Sequence, residues 1–360
     1  MKLAIVGTRG LPNNYGGFET LAEYLVEYLS GDFEITVFCS SKDLPDKFEN
    51  YNGAKLRYIP CSSNGAMGII YDSFSLLMSV RNYDIILFLG FGGGFVIPFL
   101  KKYKYKIVLN IGGLDWKRDK WSPLAKKVIR RAEKLLVKYS GHIISDNIKI
   151  QNYLMKEYDR SSTLIAYGGD QANNIAIKDS NIIEYPFLVS NYAFIVTRIQ
   201  EDNNIEMLIE AFIKQDKLPL VIVGNWNNSD YGRKIKSKYI NEKNLILHDA
   251  IYDRKKLDVL RSNCTLYVHG HSAGGTNPSL VEAMYLGLPI FAFASGYNEN
   301  TTFNKALYFS NVEELTQLIQ DYKIFNLKKI GSELKVLADK HYIWSHIANE
   351  YKDVFLNKKK

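Results

Sequence analysis

The segment from Leu3 to Thr20, LAIVGTRGLPNNYGGFET, runs from a short apolar stretch through two glycine positions into a helical pattern. Continuous apolar runs of this length are typical of strands buried in a parallel sheet. Glycines in the following loop let backbone N–H groups approach a ligand, and Gly16 and Gly17 would open a helix whose N-terminus attracts anions. Arg9 adds a positive charge. The segment predicts an anion-binding loop after the first strand, with a tight turn that binds nothing as the alternative.

The glycine spacing argues against a nicotinamide-binding loop. It does not follow the GxGxxG pattern, and the second apolar run ends in Phe38-Cys39-Ser40-Ser41, without an acid to hold a ribose hydroxyl. A dinucleotide-dependent oxidoreductase is therefore disfavoured.

Strand-like apolar runs alternate with helical patterns in both halves of the chain, as in repeated βαβ units. The predicted strands are 3–6, 35–40, 85–90, 106–111 and 142–146, then 194–199, 219–224, 244–249, 264–270 and 288–294. Helices are expected at about 205–215, 230–242, 253–262 and 278–286. The fold class is α/β with two Rossmann-like domains, 1–183 and 184–341, and a C-terminal helix at about 342–360 that packs back on the first domain.

Length and composition suit this organisation. With 360 residues and 46% hydrophobic content, the chain can bury two ordinary cores. The three cysteines form no CxxC pair, which indicates a reducing, cytoplasmic setting. The longest charge-free run, 85–100, contains glycines and a proline and is shorter than the roughly 20 residues of a spanning helix. The N-terminal apolar run is too short for a signal-peptide core.

The net charge of +8 is concentrated in one tract. Residues 101–138 hold thirteen Lys and Arg against three acids, so an anionic partner is expected, with a solvated helix face as the alternative. No nucleic-acid-binding motif is present, and nucleic acid is not expected. The tract is therefore predicted to dock on an anionic membrane, through Trp116, Trp121, Leu124, Val128, Leu135, Leu136 and Val137.

A second glycine-rich segment, HGHSAGGTNPSLVEAM at 269–284, also leads from a strand into a helix. Asn277 and Pro278 are suited to the start of that helix. The amides from Asn277 to Leu280, with Ser279 between them, are expected to point at a diphosphate, and Glu282 one turn further would accept hydrogen bonds from a ribose diol. The pattern suits a nucleotide-sugar.

The segment GGTNPSLVEAMYLGLPI at 274–290 resembles the donor site of GT-B glycosyltransferases of family 4. The opening GTRGLPNNYGGFET and IGGLDWKRDKW at 111–121 resemble the bacterial rhamnosyltransferase-like branch, which serves capsule and cell-wall polysaccharide synthesis. The resemblance implies two Rossmann-like domains facing a central cleft, with the nucleotide-sugar on the second and the acceptor on the first. It implies a donor set of Arg9, Gly16, Gly17, Asn203, Gly274, Gly275, Thr276, Asn277, Ser279, Leu280 and Glu282.

Two family features are only partly present. Of two glutamates eight positions apart, Glu282 matches the second, whereas Gly274 occupies the first position. A neighbour such as His271 or Ser272 would have to supply the missing contact to the donor sugar. Of an arginine followed five residues later by lysine, Arg198 matches and Asn203 replaces the lysine. Arg198 and helix-end amides would then stabilise the leaving diphosphate.

Asp115 follows the strand at 106–111 and is the candidate for holding or deprotonating the acceptor hydroxyl, with helix capping as the alternative. Asp115, Arg198 and His271 are thus the candidate catalytic residues. No DxD-like pair is present, so no metal or other cofactor is expected. The resemblance implies retaining transfer of L-rhamnose from dTDP-rhamnose to a polyprenyl-diphosphate-linked saccharide, by a cytoplasmic protein peripheral at the inner face of the plasma membrane. The alternatives are a UDP-hexose donor or a GT-B sugar-nucleotide epimerase.

Overall fold

The computed structural model describes residues 1–13, 16–118 and 121–357. Its contacts divide the chain into two compact units. The first unit comprises Met1–Lys117, Trp121–Tyr167 and Trp344–Lys360, and the second comprises Arg118–Lys120 and Gly168–Ile343. Asp119 and Lys120 of the basic tract, and the end of the helix expected to reach 360, lie outside the described residues.

The first boundary differs from the expected one, because residues 168–183 belong with the second unit. Polar contacts hold this segment there: the backbone N–H of Asn173 donates to Asp258 (3.1 Å), and Nδ2 of Asn263 donates to the carbonyl of Ile175 (2.8 Å). We call residues 168–183 the crossing segment.

The first unit is built on a sheet with the order β3-β4-β2-β1-β5-β6-β7-β8 within the described ranges. All pairings are parallel except that of β3 with β4. The strands are β1 Lys2–Val6, β2 Glu34–Ser40, β3 Asn50–Tyr51, β4 Ala54–Ile59, β5 Ile85–Leu89, β6 Ile107–Ile111, β7 His142–Ser145 and β8 Thr163–Leu164.

The helices of this unit connect successive parallel strands, as the chain length between them requires. They are α1 Gly17–Leu29, α2 Gly65–Ser79, α3 Pro123–Tyr139 and α4 Ile148–Tyr158. Short 3₁₀ helices occupy Gly92–Phe95, Ile97–Lys106 and Asp115–Lys117. No helix in the described part of the chain is long and apolar enough to cross a membrane.

The second unit contains a parallel sheet of order β11-β10-β9-β12-β13-β14. Its strands are β9 Ala193–Thr197, β10 Leu220–Gly224, β11 Leu245–Asp249, β12 Leu266–His269, β13 Ile290–Phe293 and β14 Leu307–Phe309. Its helices are α5 Asp179–Glu184, α6 Ile205–Ile213, α7 Asp230–Tyr239, α8 Arg254–Ser262, α9 Pro278–Tyr285, α10 Tyr297–Thr301, α11 Val312–Gln320 and α12 Leu327–His341. The strand order reverses between β9 and β12, where open α/β sheets bind ligands.

The C-terminal helix α13, Trp344–Leu356, packs on the first unit as predicted. The Trp344 ring stacks on Tyr24 of α1 with centroids 4.5 Å apart, and Phe355 meets the edge of Phe33 at 5.9 Å. Asn110 of β6 donates a short hydrogen bond to the Tyr351 hydroxyl. Aromatic packing and one buried polar contact thus hold the end of the chain against the first sheet.

Candidate functional site

Arg198 and His271 lie at the carboxyl ends of the adjacent strands β9 and β12. The pKa of His271 is held well below its ordinary value by burial, and further by the charges of His269, Arg118 and Arg198. Arg118 belongs to the second unit. His271 is therefore neutral at physiological pH, and the structure brings two predicted catalytic residues together at the reversal of strand order.

His269 supports the His271 ring and was not singled out from the sequence. The two rings stack with centroids 4.3 Å apart and 10° between planes. His269 is fully buried, and burial lowers its pKa to about 3. Within the described residues neither of its ring nitrogens, nor Nδ1 of His271, has a hydrogen-bond partner. His269 lies in a strand, as a core residue does, so nothing in the sequence indicated that it supports the His271 ring.

The backbone after β12 is held by polar side chains from two other loops. Nδ2 of Asn204 donates to the Gly270 carbonyl (2.8 Å), and Nδ2 of Asn298 donates to the His271 carbonyl (2.9 Å). The N–H and hydroxyl of Ser272 both donate to the Asp202 carbonyl (2.9 Å). Because the Ser272 hydroxyl has this bond, His271 is the better candidate for the missing contact to the donor sugar.

Asn203, expected to contact the donor in place of a lysine, is buried and serves the protein itself. Its Nδ2 donates to the Arg198 carbonyl (2.6 Å) and to Oγ1 of Thr197 (3.0 Å). Only 3% of the residue is exposed. The Asn203 amide holds the loop that carries Arg198. An asparagine side chain is shorter than that of lysine and uncharged, so it bonds to the backbone of this loop instead of reaching out toward a ligand.

Gly274 has a backbone conformation that explains the missing glutamate. Its φ is +125°, which side-chain-bearing residues rarely adopt, while no atom within 4 Å would obstruct a Cβ. The constraint is therefore one of backbone conformation rather than space. In the described part of the chain the N–H groups of Gly274 and Gly275 donate no hydrogen bond, and Thr276 beside them is buried. This turn offers amide donors to an anion.

The N-terminus of α9 offers fewer amides than predicted. Oδ1 of Asn277 accepts from the N–H of Ser279 (3.0 Å), the Asn277 carbonyl accepts from the N–H of Leu280 (3.1 Å), and Pro278 has no N–H. The Leu280 side chain is fully buried in the core. The expectation that the Ser279 and Leu280 amides face a diphosphate is therefore corrected, since helix capping uses them.

Glu282 belongs to a buried charged network. Its Oε1 accepts from Nε2 of Gln171 in the crossing segment (2.6 Å), and its Oε2 pairs closely with Arg261. Nη2 of Arg261 also bonds Oδ1 of Asp258 (2.7 Å), both side chains being 3% exposed. Burial alone would lower the pKa of Arg261, but the two carboxylates raise it. These partners, up to 111 residues away in sequence, were not predicted.

In the first unit, the glycine loop has its predicted position after β1. Gly7, Gly10 and Gly16 all have positive φ, and α1 begins at Gly17 with no side-chain cap. The Arg9 N–H donates to Oε1 of Glu19 (2.8 Å), so a carboxylate already lies near the helix N-terminus. Anion binding by Arg9, Gly16 and Gly17 stays a prediction.

Asp115 begins a 3₁₀ helix directly after β6 and is partly buried. Burial raises the pKa of Glu133 on α3, and the negative charge of Asp115 adds to this shift. The Trp116 ring lies between the cations of Lys117 (5.3 Å) and Arg130 (4.8 Å). Two polar residues that the sequence analysis missed, Asn110 and Asp146, lie at the same sheet edge.

Leu136 and Val137 of the basic tract are buried in the core, so they are unavailable for the predicted membrane contact, because α3 uses them to pack on its own unit. Leu124 is exposed. No group of three or more His, Cys, Asp or Glu side chains in the described ranges is placed to hold a metal ion. Metal independence stays a prediction.

Two family models match the chain. Residues 1–170 match a domain of unknown function (DUF1972), and residues 186–322 match glycosyl transferases group 1. No curated protein matches the sequence.

Solved structures share the fold over almost the whole chain. The sucrose-phosphate synthase of Thermosynechococcus elongatus has a TM-score of 0.81 at 16% identity, covering 99% of this chain and 98% of that one. Anabaena HepE, in complex with UDP and glucose, has 0.74 at 13% identity, with 99% of each chain covered. An E. coli structure described as trehalose-6-phosphate bound with UDP-2-fluoro glucose has 0.73 at 11% identity, covering 100% and 99%. The protein is a glycosyltransferase with a GT-B fold, in which residues 186–322 correspond to a group 1 glycosyl transferase domain.

Proposed function

We propose that the protein transfers a sugar from a nucleotide-sugar, with retention of configuration, to a lipid-diphosphate-linked saccharide in bacterial surface polysaccharide synthesis. The observation that carries the donor part is the position of Arg198 beside neutral His271 at the reversal of strand order. A guanidinium there can neutralise charge that develops on a leaving diphosphate. The amides of Gly274 and Gly275, which donate no hydrogen bond within the described residues, can add hydrogen bonds to the same anion.

His271 and Glu282 take separate roles in this proposal. A neutral imidazole whose Nδ1 is unbonded within the described residues can hydrogen-bond a sugar hydroxyl, as the missing glutamate would. Glu282 keeps acceptor capacity for a ribose hydroxyl, because each carboxylate oxygen can accept more than one hydrogen bond. The Arg261 pairing holds that carboxylate in position.

On the first unit, Asp115 is proposed to orient the acceptor hydroxyl. In a retaining front-face transfer the bond from the acceptor oxygen to the anomeric carbon forms as the bond to the diphosphate breaks, and the departing phosphate takes the acceptor proton. Asp115 would then position the hydroxyl rather than remove its proton.

The donor is proposed to be dTDP-rhamnose on the basis of the first-domain resemblance. A UDP-hexose is the second candidate, and it is favoured by the UDP and UDP-2-fluoro glucose in two structures of the same fold. No metal is assigned to either reaction.

Transfer of labelled sugar into the lipid fraction tests this function. The purified protein is incubated with dTDP-rhamnose or UDP-hexoses, membranes that carry polyprenyl-diphosphate sugars, and EDTA. We expect labelled lipid from dTDP-rhamnose. Labelled lipid only from a UDP-hexose would overturn the donor assignment, loss of transfer in EDTA would overturn metal independence, and a converted nucleotide-sugar without lipid product would identify an epimerase.

A further inference from the structure

Helix α2 exposes a face of large apolar side chains, whereas most amphipathic helices bury theirs. Its exposed face carries Met67, Ile70, Phe74 and Leu77, which are 43–54% exposed and follow one another at intervals of three or four residues. Such spacing places them on one side of the helix. The buried side consists of Gly68, Tyr71, Asp72, Ser75, Leu76 and Ser79. The helix thus exposes large apolar side chains, while its buried side mixes polar residues with Tyr71 and Leu76. Its exposed face has no charged residue.

The glycine-rich 3₁₀ segment 92–106 lies directly against α2 and extends this surface. The Gly92 N–H donates to Oδ2 of Asp72 (2.9 Å), and a Cβ on Gly92 would come within 2.7 Å of the Ile69 backbone. Beyond this contact Phe95 is exposed, and Phe99 is 82% exposed. We call Met67, Ile70, Phe74, Leu77, Phe95 and Phe99 the apolar face. Large exposed apolar patches on otherwise folded proteins mark interaction sites.

Cations border the apolar face at the end of α2. Nζ of Lys106 donates to the carbonyls of Val80 (3.3 Å) and Tyr83 (2.8 Å), which ties the 3₁₀ segment to the end of the helix. Hydrogen bonds from Lys102 and Arg81 lower the pKa of Tyr103 between them. Residues 61–106 contain five Lys and Arg but only two acids, of which Asp72 is buried.

We infer that the apolar face and its cationic border dock on an anionic phospholipid bilayer, with apolar side chains entering the headgroup and acyl boundary. Apolar insertion combined with Lys and Arg beside it is the pattern of interfacial membrane binding. A second copy of the chain would bring like charges together, and an acidic protein would leave the large apolar area unexplained. The surface shares residues 101–106 with the basic tract first considered, but its apolar part lies on α2 and on the 3₁₀ helices that follow α2.

This inference deepens the proposed function, because it names the surface at which the protein would meet a lipid-linked acceptor. Only the purpose of the docking surface rests on that function. Vesicle binding needs neither donor nor acceptor. A protein that transfers sugar without binding vesicles would overturn the docking surface alone, whereas one that binds vesicles without transferring sugar would overturn the function alone.

Co-sedimentation of the full chain with vesicles tests the surface. The vesicles contain phosphatidylcholine alone or phosphatidylcholine with phosphatidylglycerol. The test variant combines Phe74→Ser with Phe99→Ser. Its matched control combines Ile183→Ser with Ile324→Ser, two residues of the second unit that are 82% and 80% exposed. A charge variant, Lys101→Ser with Lys102→Ser, is paired with Lys323→Ser and Lys328→Ser.

The wild-type chain is expected to favour the anionic vesicles. The phenylalanine variant should lose roughly tenfold or more in partitioning, since each serine removes a large apolar surface. The Lys101/Lys102 variant should bind less tightly at low salt, and both controls should bind as wild type. Equal binding by the phenylalanine variant and wild type, or an equal loss in its control, would overturn the inference. So would self-association of the wild type, measured by sedimentation velocity, that the phenylalanine variant alone abolishes.

Discussion

One backbone angle, the φ of +125° at Gly274, separates this donor loop from the glutamate-containing loops it resembles. The Cβ of any other residue would find open space there but a strained backbone. In place of a carboxylate, the loop therefore has two glycine amides that donate no hydrogen bond within the described residues, three and four positions after a neutral histidine. At this scale the difference from the family pattern is physical, since the turn itself excludes the missing side chain.

Gly274→Ala is predicted to lower the free energy of unfolding by about 1 kcal/mol and to weaken binding of dTDP or UDP. Gly275→Ala is the matched control, because Gly275 has no positive φ. Urea unfolding and isothermal titration calorimetry measure the two effects. Equal losses in both variants would show that the conformation of residue 274 is not what shapes the loop.

The site residues that could be predicted from the sequence are those that lie just after a strand. Arg198 was found as the counterpart of a family arginine at the end of a strand, and His271 as a neighbour of Gly274 in the loop after a strand. Arg261 and Gln171 were missed because their partner Glu282 is remote in sequence, and the pairing exists only after α8 and the crossing segment reach α9. Asn203 was misassigned because a side-chain amide can serve the backbone as readily as a ligand.

At the scale of elements, α7 and α8 carry the same pair of residues in opposite settings. Asp230 and Arg233 of α7 form an exposed pair three residues apart, whereas Asp258 and Arg261 of α8 form a buried one that also holds Glu282. Exposed pairs contribute little because water screens them, while removing one partner of a buried pair leaves uncompensated charge.

Arg261→Leu is therefore predicted to lower the free energy of unfolding by about 3–5 kcal/mol, since the buried carboxylate of Asp258 and the partly buried one of Glu282 lose their partner. Arg233→Leu should change it by less than about 1 kcal/mol. Urea denaturation of the two variants side by side measures the difference. Comparable effects would mean that the α8 network does not hold the donor helix.

The buried side of α2 contains Asp72, whose pKa is raised to about 7 by burial, against a lowering hydrogen bond from Gly92. The unfolded chain releases this proton near pH 4, so between about pH 4 and 7 the folded state binds the extra proton. Asp72 thus makes stability fall as pH rises through that range. Among the described residues no cation pairs with Asp72 to keep its carboxyl charged.

Asp72→Asn is predicted to raise the free energy of unfolding by about 3 kcal/mol at pH 8 and to leave it nearly unchanged near pH 4. Asp84→Asn, at an exposed position before β5, should lack this pH-dependent gain. Urea unfolding at both pH values provides the test. A gain that does not depend on pH would show that Asp72 titrates normally.

Most strands were predictable as elements, because buried parallel strands are nearly continuous apolar runs. Strand β4 was not, since its exposed Lys55 and Arg57 interrupt the run. Helix α2 was not predicted either, because its apolar residues face outward and no buried stripe marks it. The predicted domain boundary lies too late in the chain, because it was placed next to Pro186. Contacts of the crossing segment, such as that of Asn173 with Asp258, attach this segment to the second unit.

At the scale of the whole molecule, the GT-B fold persists at 11–16% identity with the solved structures described above. In each unit, considered by itself, the strand order reverses beside the first strand, β1 or β9. The fold was predictable because it depends on the alternation of strands and helices. The donor and the acceptor were not, because they depend on single side chains in loops.

Release of nucleoside diphosphate by wild-type protein and by Arg198→Ala, with and without membranes that carry lipid-linked acceptor, tests the central claim most directly. Release should require acceptor and should slow roughly 10²–10³-fold in the variant, because the proposed role of Arg198 is to stabilise the departing diphosphate. His346→Ala, a substitution on the surface of α13, is the control and should leave donor binding unaltered. Acceptor-independent conversion of the donor to another nucleotide-sugar, or full activity in Arg198→Ala, would contradict the assignment.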